Sequence, residues 1–245
     1  MVFLFRLISV LFIGVITCVL GVIFCLFNPR NPKNVARFAH LFSFFFKPIL
    51  GVKVDTRRQA NINNLGSCVF IANHQNNYDM VVAADIVQPK TVTVGKKSLA
   101  LIPFFGQLYY LTGNILIDRN NKSKARDTIN LVVNEIKKRG ISIWMFPEGT
   151  RSRGRGLLPF KTGAFKAAIA AGVPIVPICV SDTNNIKLNR LNNGHMIVEM
   201  LPPIETKNLR KEDARILMEE CYQLMSEKIA QINLEATKLN KKLLK

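Results

Sequence analysis

The sequence predicts an α/β protein, a mixed sheet covered by helices on both faces, preceded by an N-terminal helical segment that anchors in a membrane. Two observations lead there. From residue 51 to 245, short uncharged runs alternate with segments of helical periodicity, the pattern of strands interleaved with helices. Before residue 51 come one long apolar run and one aromatic, basic segment. The chain therefore divides into anchoring helices at 1–50 and an α/β domain at 51–245, and its 245 residues suit one ordinary domain plus an appendage.

Leu7 to Phe27 carries no charge. At about 1.5 Å per residue, a helix of that length crosses a hydrocarbon core of about 30 Å. A signal peptide would have a shorter apolar part and would end in small residues. This run ends in Phe27-Asn28-Pro29-Arg30 and reads as a retained anchor. Arg30, Lys33 and Arg37 downstream outweigh Arg6 and the amino terminus upstream, so a spanning helix would leave the following domain on the cytoplasmic side. Residues 35–48 set five phenylalanines among Arg37, His40 and Lys47. They are too few and too charged to span, and they read as an interfacial amphipathic helix.

The domain's elements follow in order: strand 69–72, helix 79–87, strands 91–94 and 115–117, helix 123–139, strand 141–146, helix 163–171, strands 174–180 and 196–200, and a helix from 211 onward. The 123–139 helix rests on Ala125, Ile129, Val132, Val133 and Ile136 at spacings of three or four, with Ser123 as N-cap and Gly140 as terminator. The last helix sets Leu217, Cys221, Leu224, Ile229, Ile232, Ala236, Leu239 and Leu243 on roughly one stripe. Its end, Lys238 to Lys245, reads either as a contact to anionic lipid or as a solvated tail.

Chemistry first shows where the 69–72 strand runs into Asn73-His74-Gln75-Asn76-Asn77-Tyr78-Asp79. On a regular helix, His74 and Asp79 would point about 140° apart, but on a turn they can meet. An imidazole held by a carboxylate is a general base, because the carboxylate fixes its tautomer and stabilises the imidazolium that forms. No Gly-x-Ser-x-Gly elbow occurs and no Cys lies near His74, so the base would act directly on a substrate hydroxyl or on water. A surface or satisfied core histidine is the alternative reading of His74.

Three further blocks follow. Residues 112–119 end in Asp118-Arg119; residues 141–152 end in Phe146-Pro147-Glu148-Gly149-Thr150-Arg151-Ser152; and Val173 to Ile178 reads Val-Pro-Ile-Val-Pro-Ile. In this order the four blocks resemble the membrane glycerolipid acyltransferase family, in its bacterial PlsC-type 1-acyl-sn-glycerol-3-phosphate acyltransferase branch. The family pattern is Asn-His-x4-Asp, Gly-x-x-x-Ile-x-Arg, Phe-Pro-Glu-Gly-Thr-Arg-Ser and Val-Pro-x-x-Pro, and the match runs from about residue 50 to 205. Val94 to Gly106 and Phe160 to Gly163 also fit. Ser98 departs from it, since the family commonly carries Glu there.

The segment from Gly149 to Gly156 supplies Arg151, Arg153 and Arg155 among three glycines, with Lys161 and Lys166 following. Guanidinium forks, ammonium groups and open backbone N–H donors are what phosphate recognition requires. A solvated basic loop is the alternative, but this one leaves the C-terminal end of a buried strand, the ligand edge of open α/β sheets. The resemblance implies that Glu148, otherwise a salt-bridge partner for a nearby Arg, helps place the glycerol backbone. It also implies that Gly149, Thr150 and Arg151 hold the phosphate end. Arg119 and Lys96 would complete the pocket, or else are strand-end surface charges.

A formal charge of +18 implies an anionic partner: nucleic acid, an anionic bilayer or acidic substrates. A nucleic-acid module would leave His74, Asp79 and residues 146–152 without a role, so no nucleic acid is expected. Cys18, Cys25, Cys68, Cys179 and Cys221 show no C-x-x-C pairing and read as reduced, buried residues. His40, His74 and His195 lie far apart without Cys company, so no metal and no prosthetic group is expected.

The resemblance then implies acyl transfer, from acyl-CoA or acyl carrier protein, to the 2-hydroxyl of lysophosphatidic acid, giving phosphatidic acid at the cytoplasmic face of a bacterial inner membrane. It also favours a helical hairpin dipping into one leaflet over a true crossing. Another lysolipid or glycerol 3-phosphate as acceptor, or hydrolysis of a thioester or ester, are the other readings.

Overall fold

The computed structural model describes residues 1–60, 62, 65–117 and 125–242. Seven strands form one sheet: β1 (Val52–Arg57), β2 (Val69–Ala72), β3 (Thr91–Lys96), β4 (Ile115–Ile117), β5 (Ser142–Met145), β6 (Ile175–Val180) and β7 (Gly194–Met200), in the order β1-β7-β6-β2-β5-β3-β4. The five strands from β4 to β6 along that order are parallel; β7 is antiparallel to β6 and parallel to β1. The sheet is thus mixed, as the sequence predicts.

The alternation of side chains along each strand splits the core into two layers. Val69, Ile71, Ile143, Ile175 and Ile197 face one side, where α5 (Ala125–Arg139), α6 (Gly163–Ala171) and α7 (Ala214–Lys242) cover them with Val132, Phe165, Leu217 and Met225. Phe70, Trp144, Val176 and Val198 face the other, beneath α2 (Lys33–Leu50), α3 (Asp79–Val82) and a 3₁₀ turn at Ala84–Ile86. Both faces are therefore buried, which is why the central strands read as continuous apolar runs.

Two elements lie outside the order expected from sequence. β1 alternates Val52, Val54 and Thr56 with Lys53, Asp55 and Arg57, the signature of an edge strand with one wet face. α4 (Phe105–Leu111) is a seven-residue helix containing Gly106, and packing rather than propensity makes it helical. The helix expected at 79–87 breaks after Val82 into the 3₁₀ turn. Helix α5 begins at Ala125, and the Ser123 cap lies outside the described residues; Gly140 ends it in a left-handed conformation, φ 58°. The final helix α7 is preceded by a 3₁₀ turn at Lys211–Asp213, where the Asp213 carboxylate accepts the Arg210 N–H. Helix α6 and strands β2 and β4 match their expected bounds. All five cysteines are buried and unpaired.

The long apolar run forms α1 (Val2–Leu26), and it is one-sided. Arg6, Thr17, Cys18, Gly21 and Cys25 face inward, while Phe5, Phe12, Leu20 and Phe24 face out. Gly21 sits so near α2 and α4 that an added Cβ would lie 2.8 Å from Leu108 and from Phe38. At the other end, Arg6 is not a solvated flank. Its guanidinium is 3% exposed and donates to the carbonyls of Lys187, Leu188, Arg190 and Leu191. Asn193 ties the same loop to the end of α2 through the Leu50 carbonyl, at 2.6 Å. Helix α1 is thus fastened to the domain at both of its ends.

Candidate active site

Parallel pairing of β2 with β5 and β6 brings three strand ends to one edge of the sheet. Asn73, the first residue past β2, fixes that edge: its amide donates to the Val180 carbonyl at 2.9 Å and accepts the Val180 N–H at 2.8 Å. The chain then turns, so that Asp79 opens α3 beside His74 instead of facing away from it. His74 Nδ1 lies 2.8 Å from Asp79 Oδ2. The same oxygen accepts the N–H groups of Gln75 at 2.6 Å and Asn76 at 3.0 Å, and Oδ1 accepts the Thr183 hydroxyl at 3.1 Å. Asp79 is 2% exposed and accepts four hydrogen bonds, which fixes its carboxylate in space. A hydrogen bond at Nδ1 leaves Nε2 as the basic nitrogen, and Nε2 has no protein partner among the described residues. The ring stacks on Phe146, centroid to centroid 4.0 Å, which holds its plane.

Glu148, at the end of β5, clamps two segments together. One carboxylate oxygen accepts the His74 N–H at 2.6 Å, the other the Leu158 N–H at 2.9 Å. Burial pushes its carboxyl above the usual glutamate value, against the opposing pull of the two backbone donors. The arginine-rich loop is also stitched to the histidine loop through Ser152 N–H to His74 O, 2.8 Å, and Arg153 N–H to Gln75 O, 3.0 Å. Gly149 has φ 71°, and the Lys161 ammonium lies against it, 2.9 Å from where a Cβ would sit. Thr150 is exposed and Arg151 half-buried. Arg151 Nε is buried without a hydrogen-bond partner, a rare state for a guanidinium donor.

His74, Asp79, Glu148 and the Gly149–Arg151 loop therefore meet at one place. Lys96 stands exposed at the end of β3, on the same sheet edge but with β5 between it and β2. Arg119 lies outside the described residues. Thr183 and Gln75, which sequence reasoning passed over, complete the network: the Thr183 N–H donates to Gln75 Oε1 at 3.2 Å, and Asn76 Nδ2 to Thr183 Oγ1 at 2.9 Å. A signal for Thr183 was present in Ser181-Asp182-Thr183-Asn184, a polar run leaving a buried strand as 73–79 does. Among the described residues, no group of three or more His, Cys, Asp and Glu is arranged to hold a metal ion.

The arrangement sets a histidine fixed by a buried carboxylate beside a cationic, glycine-bearing loop. Comparison with known proteins identifies the family. A family model described as Acyltransferase matches residues 53–181. A 1-acyl-sn-glycerol-3-phosphate acyltransferase of Salmonella typhimurium is 63% identical over 236 residues, covering 96% of each chain, and that of Escherichia coli K12 is 61% identical over the same span. The human alpha enzyme of that name is 31% identical over 202 residues, 81% of this chain and 71% of its own. The crystal structure of the 1-acyl-sn-glycerophosphate acyltransferase PlsC from Thermotoga maritima superposes with a TM-score of 0.71 at 22% identity, covering 94% of this chain and 97% of that one.

Proposed function

The chain belongs to the acyltransferase family, and from that premise we propose that it esterifies the 2-hydroxyl of 1-acyl-sn-glycerol 3-phosphate to give phosphatidic acid. His74 Nε2 takes the hydroxyl proton as the oxygen attacks the thioester carbonyl of acyl-CoA or acyl carrier protein. The tetrahedral oxyanion collapses, the carbon–sulfur bond breaks, and the thiolate leaves with its electron pair and takes the proton from the His74 imidazolium, which restores the neutral base. Asp79 orients the ring and stabilises the imidazolium. Arg151 receives the acceptor's phosphate with Gly149, Thr150 and Lys161, and Lys96 and Arg119 supply further positive charge for it. Glu148 acts chiefly by holding the loop against His74, with its remaining lone pairs toward the glycerol.

The observation that carries this reading is the His74–Asp79 pair at 2.8 Å, tied through Glu148 and Ser152 to the loop bearing Arg151 with its unpartnered Nε. A hydrolase reading leaves that loop without a purpose. Helices 1–50 form the anchoring part, at the cytoplasmic face of the inner membrane. The Arg6 tether supports α1 lying within one leaflet, since a helix held to the domain at both ends cannot cross.

The test is purified full-length protein in detergent, offered acyl-CoA and acyl carrier protein donors and a panel of lysolipid and glycerol 3-phosphate acceptors, with products identified by mass. Phosphatidic acid formed from lysophosphatidic acid supports the proposal. Thioester consumed equally with and without acceptor, yielding free fatty acid, overturns it.

A further inference from the structure

The segment between β3 and α4 is an exposed apolar projection that neither the sheet nor the catalytic loop needs. Leu101 is 83% exposed, and Ile102 and Phe104 beside it also face solvent. Their backbone is firmly held. The N–H of Gly106 donates to the Ile102 carbonyl at 2.7 Å and that of Leu108 to Phe104 at 3.0 Å, and Ala100 O comes so close to Gly106 that a Cβ there would lie 2.3 Å from it. Phe104 takes φ 62° and ψ −47°, outside the regions that a bulky residue ordinarily adopts. A fixed and strained backbone that aims large apolar side chains outward marks a surface made to be covered.

Three features say what covers it. Phe105, next in the chain, joins Leu108 in the cluster that packs on the inner face of α1, so the projection continues directly from the apolar helix. Lys96 and Lys97, both exposed, stand at its base, and the Arg30 guanidinium lies 5.0 Å from the ring centre of Tyr110, whose side chain is also exposed. Cations and an aromatic ring around an apolar tip match the headgroup layer of an anionic leaflet. Finally, the projection leaves the C-terminal end of β3, the sheet edge that carries His74, and Met80, adjacent to Asp79, is exposed there too.

We propose that residues 99–104 form a membrane-inserting element of the α/β domain itself, entering the same leaflet as α1 and turning the His74 edge toward the lipid. This rests on the membrane reading given above. An acceptor and product that are both lipids would then reach and leave His74 without crossing water.

Because all five native cysteines are buried, Leu101→Cys in the full chain offers one exposed thiol for an environment-sensitive fluorophore. The labelled protein is mixed with phosphatidylethanolamine/phosphatidylglycerol vesicles containing nitroxide-labelled acyl chains. The proposal expects a blue-shifted emission quenched by the chain-borne nitroxide and shielded from aqueous iodide. In parallel, Leu101→Asp/Phe104→Ser is expected to stay within about twofold of wild type on a short-chain, monomeric acceptor. On an acceptor embedded in vesicles it should lose about tenfold or more. Emission that stays aqueous on vesicles to which the protein demonstrably floats overturns the proposal while sparing the membrane anchor. Shielding by acidic carrier protein but not by vesicles also overturns it, making the surface a protein dock. Wild type inactive on every acceptor would refute the proposed reaction, while the quenching result would still decide insertion.

Discussion

Asp79 holds its place through four hydrogen bonds, and only one of them goes to His74. Loss of the proposed base, in His74→Ala, should lower turnover by about 10²–10⁴-fold with the fold retained. Thr183 is a positioning residue: Thr183→Val removes one bond to the carboxylate, of a kind worth about 1.5–3 kcal/mol, and should lower kcat by about 10–100-fold with KM little changed. Thr183→Ser should recover most of that. Normal kcat in Thr183→Val would show that the backbone donors suffice. Arg151→Lys exchanges a fork for a point charge and should raise KM for the lysophosphatidate acceptor while leaving KM for the thioester nearly unchanged; the opposite split would assign Arg151 to the donor.

Glu148→Gln puts an amide N–H against a backbone N–H and should cost on the order of 1–3 kcal/mol of stability. The cost depends on pH in a definite direction. Burial raises the native Glu148 carboxyl above its unfolded value, so its contribution is fully present below the unfolded value and is lost as pH rises through the native one. The stability gap between wild type and Glu148→Gln should therefore shrink through the window just above the ordinary glutamate range, as urea titrations at several pH values would show. Of this candidate site, the His74–Asp79 pairing was legible because its spacing is local, and Arg151 because it stands in the Phe146–Ser152 block that carries the family resemblance. Thr183 lies in the loop just past β6, a strand beside β2 only through the sheet order, so no spacing reveals it.

At the scale of elements, the strands and long helices of the domain could be read from periodicity, whereas α1 could be read only in part. Length and hydropathy report that Leu7 to Phe27 can cross a bilayer, and say nothing of what its faces touch. The available cue was the recurrence of small residues at Gly14, Thr17, Cys18, Gly21 and Cys25, which fits a helix laid closely on its neighbours. The sequence places Arg6 beside the amino terminus, and only the fold places it beside residues 187–191. Helix α4 escaped notice for a related reason, since Gly106 and its aromatic neighbours favour no helix until α1 is there to pack on. Gly21→Leu should push α1 off Leu108 and Phe38, destabilising by about 1–3 kcal/mol and exposing residues 1–27 to limited proteolysis. Unchanged protease resistance would mean that the interface relaxes freely.

For the whole molecule, the charge of +18 and the one-sided α1 would act on the proposed membrane partner by different physics. Apolar burial is insensitive to salt, and attraction to anionic lipid is screened by it. Deleting residues 1–27 should leave a protein that still binds anionic vesicles at low salt but is stripped by high salt or alkaline carbonate, whereas the full chain resists both. The deletion also bares the faces of α2 and α4 that α1 covers, so a lower unfolding temperature should accompany it. A truncated protein that never floats on anionic vesicles would make α1 the sole contact.

The buried cysteines bear on the chemistry in another way. Each proposed turnover brings an activated thioester into the site, a setting in which any reactive protein thiolate would be acylated by transthioesterification, releasing the donor's thiol. Cys68, Cys179 and Cys221 are sealed in the core, and burial pushes each thiol up to about 12, so at neutral pH they stay protonated and unreactive. Cys18 and Cys25 are covered by the helix packing. No cysteine then competes with the proposed acceptor hydroxyl for the acyl group.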